Sequence, residues 1–337
     1  MRIDGWRRPL FVGGESFGVW RAAGVVEALE RRGARVAGEI LISGGIPVIA
    51  RPPYAVKAAL FLPTRATAAL YHHRLAPELQ ADPAATIDAA AKWAREEYAP
   101  ALEGAETLPH DRRMAVVAQL ARFSGLRAAE IDSVTLIVKR SQFAQSLLRD
   151  QHLALDRFDT RRTHPTGSEL GRTLVDIRRD ALTVQYLRLE VGYRTDVAYL
   201  GSEQGYEPVT EREPSGPASQ WGYDQNPPDT TQPPASTSAQ ARRLADDGPP
   251  NGAEPWLRRA MEIDGGLRAF VAVGMYDSLN SCSWNDYLVS TLEPAIGSRI
   301  TAKCYTGGHM MYEDPGTRFQ VARDIAAFIT SAAAATR

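Results

Sequence analysis

The sequence is short of cysteine, of charge imbalance and of long apolar runs, and each shortage excludes a class of protein. Two cysteines in 337 residues cannot staple a disulfide-rich secreted scaffold or build a four-thiolate zinc site. Lys+Arg 39 against Asp+Glu 40 leaves a formal net charge of −1. No block of Lys or Arg breaks that balance, which excludes a strongly cationic nucleic-acid binder. No apolar run approaches the roughly 18 residues that a membrane helix requires. The opening Met1-Arg2-Ile3-Asp4-Gly5-Trp6 lacks the basic-then-apolar order of a signal peptide. Internal repeats are missing too. What remains reads as a globular chain long enough to bury a core without staples.

Strand and helix signals alternate at both ends. Leu10-Phe11-Val12 is a short apolar run closed by Gly13-Gly14 and reads as a buried parallel strand. A helix is expected over 19–32, stopped by Gly33, and a second buried strand over 36–42. Strand–helix–strand at this spacing is a βαβ unit and implies a parallel sheet. Helical signals follow over 55–60, 66–72, 83–98, 111–124, 128–149 and 178–190, with no clear strand among them. The Pro/Ser-rich stretch 207–255, in which Trp221 and Tyr223 are nearly the only large apolar groups, reads as a mobile loop. Strands are expected again over 267–274 and 300–305, with helices over 283–292 and 316–331. The expected organisation is an α/β core from 1–50 and 256–337, a helical cap over 51–206 and the mobile segment 207–255.

Gly14-Glu15-Ser16-Phe17-Gly18 fits G-x-S-x-G between a strand and a helix. Such an elbow needs a tight, strained turn and small neighbours, and it lifts the serine hydroxyl above the strand end. The alternative is a Gly-rich turn with an incidental serine. Asp277 follows the strand 267–274, and His309 follows the strand 300–305 through Thr306-Gly307-Gly308. Both lie at the C-terminal ends of strands, where such sheets place catalysis. The chain order Ser…Asp…His is that of the α/β-hydrolases. Ser16 then reads as nucleophile, His309 as base and Asp277 as the acid that orients it. The backbone N–H of Phe17, the residue after the nucleophile, reads as an oxyanion donor.

The elbow together with Gly274-Met275-Tyr276-Asp277 and Gly308-His309-Met310-Met311-Tyr312 resembles the serine carboxypeptidases in their bacterial form. Arg157-Phe158-Asp159-Thr160-Arg161 and Leu257-Arg258-Arg259-Ala260-Met261 resemble further stretches of that group, so the likeness runs over most of the chain from Leu10 onward. It implies an α/β-hydrolase with a helical cap that removes C-terminal residues from peptides, usually at acidic pH. It implies that Glu15 binds the substrate's terminal carboxylate and that Met310 lines the leaving-residue pocket. A protonated carboxyl can donate a hydrogen bond to a carboxylate, which suits that role; the alternative for Glu15 is a structural acid paired with an arginine. No cofactor and no metal is implied, and the partner is a peptide or small acyl substrate rather than nucleic acid or membrane.

The chain departs from the family at two places. Several strands and a Gly-Gly-Pro-Gly-type loop, which precede the elbow in the family and complete the oxyanion hole, have no counterpart here. Ser278-Leu279-Asn280-Ser281-Cys282 replaces a more apolar run after Asp277. Losing one oxyanion donor costs about 10²–10³ in rate. An N-terminally truncated sheet would leave a strand edge open to self-association or to a missing N-terminal chain. Two other functions therefore stand beside hydrolysis: an inactive remnant of the family, and an acyltransferase using the same triad. Export is expected if a full-length parent carries a leader, and a cytoplasmic location otherwise. Cys282 and Cys304 are expected as free, mostly buried thiols, with a disulfide as the alternative. His72-His73, His110, His152 and His164 lack metal-ligand spacing.

Overall fold

The computed structural model describes residues 8–49, 52–166, 174–195 and 255–335. Among the described residues the main sheet has four strands: β1 (Phe11–Glu15), β2 (Gly38–Ile42), β5 (Arg268–Gly274) and β6 (Ile300–Tyr305). They run parallel in the order β1-β2-β5-β6. Two of the four come from each end of the chain, and because all run parallel the turns after β1, β5 and β6, which carry Ser16, Asp277 and His309, lie at the same end of the sheet. This establishes a mixed α/β fold with a parallel sheet.

Helices cover both faces of that sheet. On one face, α1 (Gly18–Glu30) buries Val19, Ala22, Ala23 and Val26 at helical spacing. It packs against α10 (Trp256–Ile263), which places Leu257, Ala260 and Met261 in the main core with Leu41, Val271 and Val273. On the other face lies α13 (Pro315–Ala335). Its Val321 and partly buried Ile325 and Phe328 close a second cluster with Phe270, Ala272, Tyr305 and Met311. Between β5 and β6 run α11 (Cys282–Thr291) and the short α12 (Pro294–Gly297); Ser281 caps α11 by accepting from Trp284 N at 3.2 Å.

Between β2 and β5 the described residues are mostly helical. The helices are α2 (Tyr54–Ala59), α3 (Leu62–Tyr71), α4 (Pro77–Gln80), α5 (Pro83–Trp93), α6 (Ala99–Glu103), α7 (His110–Ser124) and α8 (Arg140–Ser146). The described residues within 1–166 and 228–337 form one compact unit and those within 167–227 another. In the second unit α9 spans Leu174–Leu189. The segment read as mobile, 207–255, lies outside the described residues except for Pro255, and so do Trp221 and Tyr223.

Three expectations are corrected. The helix expected over 128–149 breaks into a 3₁₀ turn at Ala128–Glu130 and the separate α8. Asp132 accepts from Val134 N at 2.8 Å and from the Thr135 hydroxyl at 2.7 Å, which competes with helix formation, and the β-branched residues that follow do not restore it. Strands do interrupt the helical region: β3 (Leu153–Leu155) and β4 (Thr163–Pro165) pair antiparallel. Three residues each are too few to show a period of two. Finally, Cys282 and Cys304 are not free: they form a disulfide with Cα atoms 5.6 Å apart.

Candidate active site

The elbow is built as its sequence requires. Ser16 has φ 54, a left-handed conformation that a non-glycine residue adopts only when its surroundings impose it. Here Ser16 N donates to Ile42 O at 2.9 Å and Ser16 O accepts from Val19 N at 3.1 Å. The strand thus extends one bond beyond β1 and turns at once into α1. A Cβ on Gly14 would stand 2.2 Å from Gly18 O, so only glycine fits there, whereas a Cβ on Gly18 would meet nothing. Phe17 is the N-cap residue of α1, with the Arg21 guanidinium 5.2 Å above its ring.

The acid and base come together. His309 Nδ1 lies 2.8 Å from Asp277 Oδ2, with both residues buried. Asp277 Oδ1 accepts from Leu279 N at 2.8 Å, and Oδ2 also accepts from Asn280 Nδ2 at 2.7 Å. The opposite ring nitrogen, His309 Nε2, is buried without a hydrogen-bond partner among the described residues. No hydrogen bond therefore joins His309 to Ser16. An indirect path links them through the end of β2: Ser16 N donates to Ile42 O, and the next residue, Ser43, donates its hydroxyl to His309 O.

Glycines let the turns approach. A Cβ on Gly274 would lie 2.1 Å from Gly308 O, and one on Gly308 would lie 2.5 Å from Phe158 O. The stretch 157–161, which carried part of the family likeness, wraps the base turn. His309 N donates to Phe158 O at 2.6 Å, and the Phe158 ring stands 5.3 Å from the imidazole. Thr160 N donates to Tyr276 O at 3.0 Å. Arg161 bridges Asp159 at 2.6 Å and Asp314 at 2.8 Å, and its guanidinium lies 5.0 Å from the Tyr276 ring centre. Burial pushes the Tyr276 phenol up.

Glu15 is exposed, and its Oε1 accepts from the Tyr312 hydroxyl at 2.7 Å. Among the described residues no ion pair reaches Glu15. Met310 is half-buried beside His309. A cavity of about 20 Å³ lies beside the acid turn, lined by Phe61, Arg65, Arg140, Phe143, Thr160 and Ser278. That volume suits one water rather than a substrate side chain.

Comparison with known proteins adds no family. No family model, no curated protein and no solved structure matches this chain. The residues that sequence reasoning missed are Ser43, Phe158, Asn280 and Tyr312. Ser43 has a faint signal, a polar residue at a strand end before Gly44-Gly45, and Phe158 and Tyr312 stand in stretches that carried the family likeness; Asn280 has none that local pattern could supply.

Proposed function

We propose that this chain is a serine carboxypeptidase-like hydrolase of the α/β-hydrolase type, releasing C-terminal residues from peptides through an acyl-enzyme. The observation that carries the reading is the His309–Asp277 bond of 2.8 Å, with Nε2 buried and unpartnered among the described residues, at the same end of the parallel sheet as the Ser16 elbow. Ser16 Oγ attacks the scissile carbonyl while His309 Nε2 takes its proton. Asp277 holds Nδ1 as the N–H end of the ring. The carbonyl oxygen becomes an oxyanion that Phe17 N–H receives. Collapse expels the leaving amine, which takes the proton from His309. Water then enters, gives a proton to Nε2 and adds to the acyl carbon, and Ser16 leaves as the restored hydroxyl. Glu15, held through Oε1 by Tyr312, keeps Oε2 for the terminal carboxylate, and Met310 borders the leaving residue.

A fluorophosphonate probe tests this. The wild-type chain should label and S16A should not; equal labelling of both would end the reading. Peptides with a free C-terminus should be cleaved in preference to their amides. A non-catalytic protein with the same triad letters is the second reading, favoured by the missing Ser16–His309 bond, and a wild-type chain that resists the probe would select it.

A further inference from the structure

We infer that Asn280 and Ser43 are positioning residues that fix the orientation and tautomer of His309, a role that rests on the hydrolase reading above. Four hydrogen bonds close a ring. His309 Nδ1 and Asp277 Oδ2 are 2.8 Å apart. Asn280 Nδ2 donates to the same Oδ2 at 2.7 Å and to Ser43 O at 3.1 Å. Ser43 Oγ donates to His309 O and completes the circuit.

The direction of every bond follows from the donor inventory. A backbone carbonyl and a carboxylate oxygen only accept, so both groups facing the Asn280 amide demand its NH₂ end. That settles the amide orientation. Oδ2 then receives one N–H from Asn280, and the ring nitrogen facing it must supply the other. Nδ1 is therefore the protonated nitrogen of the neutral imidazole, and Nε2 holds the lone pair. Nε2 is also the buried nitrogen without a partner, so the free base end points away from the acid.

Placement adds rigidity. Ser43 follows β2, Asp277 and Asn280 follow β5, and His309 follows β6. The ring ties the imidazole to three strand ends rather than one. Ser43 itself has φ 51 and donates its N–H to Ala272 O at 2.8 Å. A strained conformation at a non-glycine residue persists when neighbours hold it, and here the hydroxyl bond to His309 does part of the holding. Asn280 belongs to the run that departs from the family pattern; in this chain that run furnishes a third donor to the acid, besides Leu279 N and His309.

Proton NMR of the full chain, together with the rate of Ser16 phosphonylation, tests the role. The wild type should show a far-downfield Nδ1 proton that disappears in D277N. In N280D the amide donor becomes an acceptor of the same shape, and the resonance should shift or vanish. Phosphonylation should slow about 10- to 100-fold, the worth of one hydrogen bond to a charged group. N280A should behave alike, and S43A should move both readouts the same way by less. Thermal melts identify variants that fold; if neither Asn280 variant does, S43A decides alone. A resonance and a rate unchanged in every folded variant would overturn the proposal. A wild type that never labels would end the hydrolase reading instead, while the resonance would still decide for or against positioning.

Discussion

The two glycines of the elbow look alike in the sequence and differ in the structure. Gly14 has no room for a Cβ, since Gly18 O is 2.2 Å from where it would stand; a Cβ on Gly18 has open space. G14A should therefore displace the start of α1, lose about 2 kcal/mol or more, and slow Ser16 labelling, because backbone atoms cannot yield as a flexible side chain can. G18A should gain up to about 1 kcal/mol from the better helix former. Chemical denaturation of the two variants measures both, and equal losses would refute the distinction. The same contrast explains what could be read in advance. The tight turn at Ser16 and the Asp277–His309 pair were legible because each residue follows a strand signal. Asn280 and Tyr312 were not, because their partners Ser43 and Glu15 lie 237 and 297 residues away, and local periodicity carries no information about such meetings.

Among the elements, the strands and helices with strong apolar runs were legible to within a few residues, and the exceptions share a physical origin. The Asp132 turn won over a helical pattern by local side-chain hydrogen bonds. The pair β3–β4 forms because the chain doubles back there, not because three-residue segments have strand character. The disulfide was invisible because only the fold shows that β6 runs beside β5 and under the start of α11. Cys282 opens α11, just after the Asp277 turn, and Cys304 lies on β6, just before the His309 turn. The bond thus straps the acid turn to the base strand across a sequence separation of 22. Closing a loop of that length is worth about 3 kcal/mol through the unfolded chain. Exposed Cys304 gives a dithiol access to it. Dithiothreitol, or C304S, should lower the melting temperature by several degrees and slow Ser16 labelling. Melting curves that coincide with and without reductant would rule out the strap.

For the molecule as a whole, a buried carboxyl without a hydrogen-bond partner among the described residues sits in the centre of the sheet. Glu39 is on β2, between Val12 of β1 and Ala269 of β5. It is fully buried, and neither carboxylate oxygen has a hydrogen-bond partner among the described residues. Burial pushes its carboxyl from 4.5 up to about 8. A carboxyl raised in this way binds its proton more tightly in the folded chain than in the unfolded one. Between pH 4.5 and about 8 the unfolded chain has released the proton and the folded chain has not, so stability falls as pH rises through that window. Above about 8 the loss is complete. Burial also pushes the Lys57 ammonium from 10.5 down to about 8, which works in the opposite sense: stability returns as pH climbs from about 8 towards 10.5. Lys57 keeps part of its surface exposed, so its share is the smaller. The joint contribution of these two groups is therefore lowest near pH 8 and larger on the acidic side. E39Q isolates the main contribution. Its stability should match the wild type below pH 4.5 and exceed it by a few kcal/mol at pH 8. Urea unfolding of both proteins at stepped pH reads the difference, and curves that stay parallel from acid to alkaline pH would remove Glu39 as its source.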